Sequence, residues 1–353
     1  MRLLIAVDKS RFHNIRQLAE ELTRYGIIYK LIDDLDIYDK PGIFDKYIRW
    51  LKTPKKFQNI INEFKPDMVI TERTLHFSLL VIKSKIPLCI FLVGNIWEED
   101  VGFDKITKIS LIRKIEIWYK RRITKKCLRE AKSILALSQY LVNIVKEIYP
   151  NQKIRLISGD AINESDWITD KKMDLKHPCV GLLQRAKVWG KAEEMLILTK
   201  ILEELPNVTF YWAGDGPYRD KILSELEKFD NFHWLGNLEY PDKVKEYLAS
   251  IDVYLLLSGL DTSPHTVLEA GLMKKPIVAT NIGGVSDIII NGKTGFIVEQ
   301  GDYKVYIEKI SILINDEKIR KEMGIGEYEF VKNNFTWKQI AKEFVSAINE
   351  KNV

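Results

Sequence analysis

The stretch SGLDTSPHTVLEAGLMKKPIVATNIGGVSDIIINGKTGFIV, residues 258–298, contains most of the chemical information in the chain. An apolar strand predicted at 253–257 runs into the polar loop SGLDTSPH, and a helical pattern begins near Thr266. Thr262 and Ser263 are residue types that cap helices, and Pro264 suits a first helical turn. The helix therefore starts just beyond the carboxyl end of a strand, where parallel α/β sheets bind ligands and where free amides attract phosphate.

Two acidic residues flank this helix start. Asp261 lies in the loop and Glu269 lies about one turn inside the helix, with seven residues between them. Such a pair is usually solvated surface. Here it is followed by a buried-strand pattern at 277–280, by Gly283 and Gly284, whose backbone can approach a ligand closely, and by a second turn at 291–295. This order of features favours a binding site.

The composition predicts two domains and no membrane span. The chain has 353 residues, which exceeds one ordinary core, and 46% of them are hydrophobic. No apolar run approaches the roughly 20 residues that cross a bilayer, and the first residues indicate a strand rather than a signal peptide. The three cysteines show no metal-ligand spacing, which suits a reducing cytoplasm. We therefore expect a cytoplasmic protein.

Strand and helix patterns alternate along the chain, which predicts an α/β fold with parallel sheets. We expect a first domain at 1–165, a polar linker at 166–178, a second domain at 179–335 and a final helical segment at 336–353. The predicted strands of the first domain are 2–7, 27–32, 67–71, 88–93, 132–138 and 153–157, and those of the second are 179–183, 208–213, 232–235, 253–257 and 277–280.

The opening stretch resembles the signature of the retaining glycosyltransferases with the GT-B fold, the glycosyl transferases group 1. That family includes sucrose synthase and many bacterial and archaeal mannosyl- and glucosyltransferases. Its usual form is Glu, seven residues, Glu-Ala, then Gly-x-Pro-Val-Val-Ala-Thr and a Gly-Gly loop. Here Asp261 replaces the first Glu and Lys275 the usual glycine, whereas Glu269-Ala270 and the residues 276–280 follow the pattern.

The resemblance implies a GT-B architecture of two Rossmann-like domains facing each other across a cleft, with a final helix that crosses back to the first. The acceptor would bind to the first domain and a nucleoside diphosphate sugar to the second. The implied reaction is transfer of a hexosyl group to a glycan or lipid-linked acceptor with retention of configuration. In such enzymes an Arg and a Lys hold the diphosphate, which matches Arg185 and Lys191. Two fixed cations stabilise the leaving group without a metal, so we expect neither a metal nor a further cofactor.

The resemblance also assigns individual residues. Asp261, Arg185 and Lys191 would be catalytic, with Asp261 at the sugar either as a nucleophile or as an electrostatic group. Glu269 would accept hydrogen bonds from the ribose hydroxyls. The expected donor-binding residues are Glu269, Gly214, Ser263, Pro264, His265, Thr266 and Val267.

The acceptor side departs from the family. The usual Gly-Gly pair after the first strand is missing, and Asp8 stands in that loop. The usual His before a Gly is replaced at Val93-Gly94. We expect Gly94, Asn95, Glu98 and Asp8 to contribute to acceptor binding, with the rim residues Glu72, Arg73 and His76 near them or simply on the surface.

Positive charge is concentrated at 101–135, which holds eleven lysines and arginines against three acids, whereas the whole chain has a net charge of +5. Leu111, Ile112, Ile115, Trp118, Tyr119 and Ile123 recur there at helical spacing. This segment is a solvated helix with an apolar stripe in the core, a surface for anionic lipid through 105–132 at the inner face of the membrane, or a diphosphate-acceptor site. Nucleic acid is disfavoured because no binding motif accompanies the charge.

Three alternatives stay open or are set aside. The acidic run at 33–36 looks like a metal site of another glycosyltransferase fold, but it has no histidine near it in sequence and a solvated turn explains it. The fold also suits a sugar-nucleotide epimerase or phosphorylase. A non-catalytic lipid-binding or scaffold protein would account for the missing His and for Asp261 in place of Glu.

Overall fold

The computed structural model describes residues 1–7, 12–38, 54–72, 76–97, 111–158 and 161–349. The chain divides into two compact units. The first contains the described residues up to Ala161 together with the last helix, and the second contains Ile162–Thr336. Each unit has one six-stranded sheet in which every pairing is parallel, so the α/β prediction is confirmed.

The first unit has the strand order β2-β1-β3-β4-β5-β6. Almost every residue of its central strands is buried, as is usual for a parallel sheet with helices on both faces. Its strands are β1 Arg2–Ala6, β2 Ile28–Ile32, β3 Met68–Glu72, β4 Leu88–Leu92, β5 Ser133–Ala136 and β6 Ile154–Leu156. Its helices are α1 Phe12–Thr23, α2 Asp34–Ile37, α3 Lys55–Phe64, α4 His76–Lys83, α5 Leu111–Glu130 and α6 Gln139–Ile148.

The second unit has the order β12-β11-β10-β7-β8-β9, with β10 and β7 at its centre. Its strands are β7 Cys179–Leu183, β8 Thr209–Ala213, β9 Phe232–Gly236, β10 Val253–Leu256, β11 Ile277–Thr280 and β12 Gly295–Val298. Its helices are α7 Trp189–Ala192, α8 Leu198–Glu204, α9 Arg219–Leu226, α10 Asp242–Ser250, α11 His265–Leu272, α12 Val285–Ile288, α13 Tyr303–Asn315 and α14 Glu317–Asn334, with 3₁₀ turns at Glu164–Asp166 and Glu193–Ile197.

The last helix, α15 (Trp337–Asn349), packs within the first unit. It lies against α1 and buries Trp337 and Phe344 in the same apolar cluster as β1. The Glu343 carboxylate also accepts hydrogen bonds from the backbone amide of Ser158 at 2.7 Å and from its hydroxyl at 2.9 Å. The helix is therefore fixed by apolar packing and by a charge-assisted contact.

The segment 162–178 differs from the predicted boundary. It is not a free linker, because Ile162 donates to the Phe335 carbonyl at 2.9 Å and Met173 to the Ser250 hydroxyl at 2.6 Å. Trp167 is buried in the core of the second unit. The polar composition of the segment did not indicate this packing, in which a few apolar side chains and backbone hydrogen bonds hold the chain.

The acidic run at 33–36 begins a helix. The Asp33 carboxylate caps α2 by accepting from the amides of Leu35 and Asp36, and Asp36 reciprocates on the Asp33 amide. The structure also places His76 Nε2 2.7 Å from Asp34 Oδ1, a neighbour that is 42 residues away in sequence. The run is thus a capping box with a histidine hydrogen-bonded to its second residue, rather than a solvated turn.

Candidate functional site

A cavity of about 500 Å³ opens at the carboxyl ends of the central strands of the second unit. It lies where the ligand-binding edge of a parallel sheet is expected. The residues that line it are Leu183, Gln184, Arg185, Lys187, Val188, Lys191, Ala213, Gly214, Asn237, Leu238, Tyr240, Val244, Leu256, Asp261, Ser263, Pro264, His265, Thr266 and Glu269. The structure therefore brings the two predicted cations and the two predicted carboxylates to one cavity.

Two glycines allow the loops of the cavity to meet. Gly214 has φ +153°, and a Cβ there would lie 1.9 Å from the Gln184 carbonyl oxygen. Gly283 has φ +54°, and a Cβ there would lie 1.6 Å from the Asp261 carbonyl oxygen. The Gly283 turn thus supports the backbone of Asp261 directly, because any side chain would displace that loop.

Lys191 and Asp261 form an ion pair in the cavity wall. The Asp261 side chain is only 9% exposed and that of Lys191 35%. The backbone carbonyl of Lys191 accepts from the Gly259 amide at 3.1 Å and from Gln184 Nε2 at 3.3 Å. Lys191 lies in α7, because buried Trp189 and Ala192 anchor a helical turn there. The ammonium is therefore held by its ion pair with Asp261, and the backbone of Lys191 is held by these two hydrogen bonds.

Arg185 follows β7 and is exposed at the cavity rim. Within the described ranges, no carboxylate forms an ion pair with its guanidinium. A guanidinium has a rigid array of donors that matches phosphate oxygens. Arg185 is thus available to an anionic ligand, whereas Lys191 is already paired with Asp261.

The start of α11 differs in detail from the sequence expectation. Pro264, not Thr262 or Ser263, is the N-cap, and no side chain caps the helix there. The Val267 amide donates to the Pro264 carbonyl at 3.0 Å, and the Val267 side chain is fully buried. Val267 therefore does not reach the cavity, although the other predicted residues of this segment line it.

A buried tyrosine fixes the position of the Thr266 hydroxyl. Tyr254 in β10 donates its phenol to Thr266 Oγ1 at 2.7 Å, and burial raises the pKa of this phenol well above its usual value. A phenol that stays neutral remains a donor. Thr266 is therefore held with its hydroxyl engaged and its backbone at the cavity.

Glu269 is almost fully buried at the inner end of the cavity. His265 Nδ1 lies 3.2 Å from its Oε1, one helical turn earlier. Partial desolvation of the phenol and then the Glu269 carboxylate raise the pKa of Tyr240 to about 12, and its phenol bonds to that carboxylate. A carboxylate with these two hydrogen-bond partners keeps further acceptor capacity.

Several lining residues have no counterpart in the sequence prediction. Gln184 follows β7, and Asn237, Leu238 and Tyr240 follow β9. The signal that could have found them is position, since residues just after parallel strands share one edge of the sheet. Their residue types alone did not indicate that they line a binding cavity.

Of the predicted acceptor-binding residues, two lie outside the described ranges and two are buried. Asp8, Glu98 and Arg73 lie outside the described residues. Asn95 is only 2% exposed, donates to the Tyr140 phenol at 2.6 Å and accepts from the Trp97 amide at 3.1 Å. Gly94 is also buried. Asn95 thus fixes the loop after β4, and its role in acceptor binding stays a prediction.

No helix in the described ranges is long and apolar enough to cross a bilayer.

The basic helix α5 shows why the predicted apolar stripe is only partly right. Ile123 is buried, but Ile115 and Trp118 are 59% and 56% exposed, and Ile117 takes the buried position instead. Because apolar residues occur on both faces of α5, spacing alone did not identify the core face.

Comparison with known proteins covers the segment that contains this cavity. Residues 169–330 match the family "Glycosyl transferases group 1". The capsular polysaccharide biosynthesis glycosyltransferase CapM of Staphylococcus aureus is 43% identical over 82 residues, which cover 23% of this chain and 22% of that protein. The chain thus spans well under two thirds of the length of this curated relative.

Solved structures resemble almost the whole chain. Sucrose-phosphate synthase from Thermosynechococcus elongatus has a TM-score of 0.74 at 14% identity, over 99% of this chain and 98% of that one. Anabaena HepE in complex with UDP and glucose has a TM-score of 0.69 at 15% identity, over 99% and 100%. At these identities the likeness shows the fold. Residues 169–330 thus match the glycosyl transferases group 1 family, and the chain with its two parallel sheets has the GT-B fold.

Proposed function

We propose that this protein transfers a hexosyl group from a nucleoside diphosphate sugar to a glycan or lipid-linked acceptor with retention of configuration. The observation that carries the proposal is the convergence of Arg185, Lys191, Asp261 and Glu269 on one cavity. A ligand with both phosphate and hydroxyl groups accounts for the convergence of cations and carboxylates that are separated by up to 84 positions in the sequence.

The two cations take the diphosphate. Expulsion of a nucleoside diphosphate builds negative charge on the leaving oxygen, and fixed positive charges stabilise it without reorganisation. Arg185 supplies a planar set of donors, and Lys191 supplies a point charge. The Thr266 amide at the start of α11 adds a backbone donor. We propose that this set makes the transfer independent of a metal.

The two carboxylates take the sugars. Glu269 lies deep in the cavity and accepts hydrogen bonds from the ribose hydroxyls, with His265 and Tyr240 holding its orientation. Asp261 lies in the cavity wall beside Lys191, where it would contact the transferred hexose. Its negative charge stabilises the positive charge that develops at the anomeric carbon as the leaving group departs.

A donor panel tests the proposal. The chain is mixed with UDP-, GDP- and ADP-hexoses and release of nucleoside diphosphate is followed with and without EDTA. We expect slow hydrolysis of one donor, faster turnover with a sugar acceptor, and no loss with EDTA. Calorimetry in parallel measures donor binding, since a scaffold protein binds none of the panel, and such a result would refute the proposal.

We further propose that α5 docks on an anionic lipid surface. Its exposed face carries Ile115 and Trp118 among cations, and Arg122 stacks 5.0 Å from the Trp118 ring centroid. The exposed cations of α5 are Lys114, Arg121, Arg122, Lys125, Lys126 and Arg129. Basic side chains around exposed apolar groups suit insertion at the headgroup level of an anionic bilayer.

Vesicle sedimentation tests the lipid surface. We expect the chain to bind vesicles rich in phosphatidylglycerol and not vesicles of phosphatidylcholine, because each cation near an anionic surface contributes about 1 kcal/mol. Ile115→Ser should weaken binding by roughly tenfold, since it removes apolar surface from the contact. Ile168→Ser is the matched control because Ile168 is also exposed but lies in the second unit. Equal binding of both vesicle types would contradict the proposal.

A further inference from the structure

His177, Cys179 and Asp252 form a cluster at the opposite edge of the second sheet from the donor cavity. Cys179 is the first residue of β7, and Asp252 directly precedes β10. The parallel pairing of these strands, with Val253 opposite Val180, fixes the two residues side by side. Because the strands are central in the sheet, the placement is rigid.

The backbone reinforces this arrangement. The Cys179 amide donates to Asp252 Oδ2 at 2.8 Å, and the Asp252 amide donates to the Cys179 carbonyl at 3.1 Å. Rigid supports of this kind hold ligand atoms in place without an ion.

The three side chains converge. His177 Nδ1 lies 2.7 Å from Asp252 Oδ2 and 3.6 Å from Cys179 Sγ, and the three ligand atoms are all within 4.8 Å of one another. Both partners face the same ring nitrogen. A nucleophile–imidazole–carboxylate relay needs the two different ring nitrogens, so this cluster is not arranged for that chemistry.

The arrangement instead fits a cation. We propose that His177 Nδ1, Cys179 Sγ and a carboxylate oxygen of Asp252 form a binding site for a divalent cation of the zinc type. Imidazole, thiolate and carboxylate are zinc ligands, and a thiolate disfavours magnesium and calcium. The ion displaces the thiol proton, which passes to solvent, and the two anionic ligands balance the charge of the ion.

The distances suit this geometry. Tetrahedral coordination at about 2.0 to 2.3 Å separates neighbouring ligand atoms by roughly 3.3 to 3.6 Å. The sulfur–nitrogen distance of 3.6 Å already agrees. The ion replaces the hydrogen bond from His177 to Asp252, which requires the 51% exposed imidazole to move by roughly half an ångström. The ion would enter from the exposed His177 side, where solvent would supply a water as fourth ligand.

One nearby charge opposes the ion. The Lys275 ammonium is close enough to interact electrostatically with Asp252 and Cys179. It is anchored on the carbonyl oxygens of Ala249 at 3.0 Å and Ile251 at 2.8 Å. Those carbonyl dipoles hold the ammonium and solvate its charge, while the two anionic ligands neutralise the ion itself.

The site is separate from the proposed transfer chemistry. Cys179 and Leu183 are the two ends of β7, about 13 Å apart at 3.3 Å per residue. The ion would join the segment before β7 to the turn before β10. Its role is to stabilise the second unit, so donor turnover does not depend on it.

Cobalt spectroscopy tests the site. The full chain is stripped of metal with a chelator and titrated with Co²⁺, whose thiolate complexes show a charge-transfer band in the near ultraviolet. We expect saturation at one equivalent, displacement by Zn²⁺, and a rise in Tm with Zn²⁺. Absence of the thiolate band at one equivalent would overturn the proposal.

Variants identify the ligands. His177→Ala should weaken binding by at least about 100-fold, because even groups outside the ligand set change metal affinity by about 10- to 100-fold. Cys179→Ser should remove the thiolate band. His233→Ala is the matched control, since His233 is an exposed histidine of the same unit. If Cys179→Ser fails to fold, His177→Ala still tests the site, because His177 is exposed and its loss does not disturb the core. Unchanged Co²⁺ binding in His177→Ala would show that this cluster is only a hydrogen-bonded ion pair.

Discussion

Asp261→Asn is expected to lower kcat by roughly 10³-fold with little change in fold. The substitution keeps the size of the side chain and removes the charge that we assign to the developing positive centre of the hexose, and loss of one such preorganised group costs about 10² to 10³ in rate. The Asp261 side chain is 9% exposed, so water cannot replace the lost charge effectively. Donor turnover at saturating substrate measures the effect.

The control for this variant is another Asp–Lys pair. Asp242 lies 2.9 Å from Lys245 and does not line the cavity, so Asp242→Asn should leave kcat within about twofold of the original. Thermal unfolding of both variants separates lost chemistry from lost stability. A kcat for Asp261→Asn close to that of Asp242→Asn would remove Asp261 from the mechanism.

The predicted residues of the site came from motifs whose spacing is local. Asp261 and Glu269 belong to one strand-loop-helix unit, and Arg185 and Lys191 to another. Within such a unit the sequence determines which side chains follow a strand end. What joins the two units is the strand order, in which β10 pairs with β7, and this pairing is non-local. The resemblance to a family supplied it.

The features that were missed depend on tertiary packing. Lys191 lies in a helical turn because Trp189 and Ala192 are buried beneath it, which their sequence spacing does not reveal. The core face of α5 was misassigned because apolar residues occur on both of its sides. The sequence did not predict the cluster around Cys179, because its acidic member is 73 residues away and only the fold brings it close.

Removing either cation of the cavity is expected to impair both turnover and nucleoside diphosphate binding, and Lys191→Met more severely than Arg185→Met. Each variant loses a charge from the leaving group, which costs roughly 10² to 10³ in rate. Lys191→Met also leaves Asp261 as a nearly buried carboxylate without its partner, a penalty that exposed Arg185 does not carry. Steady-state kinetics and calorimetry with the product nucleoside diphosphate measure the two effects.

The double variant distinguishes a shared role from separate ones. If both cations act on one diphosphate, their losses should be strongly non-additive, because groups that work as a unit lose most of their effect once the first is gone. Lys200→Met is the matched control, since the Lys200 ammonium lies 4.5 Å from the Tyr303 ring centroid and outside the cavity. Full additivity of Arg185→Met and Lys191→Met, or diphosphate affinity in Lys191→Met equal to that in Lys200→Met, would mean that the two cations do not hold the same leaving group.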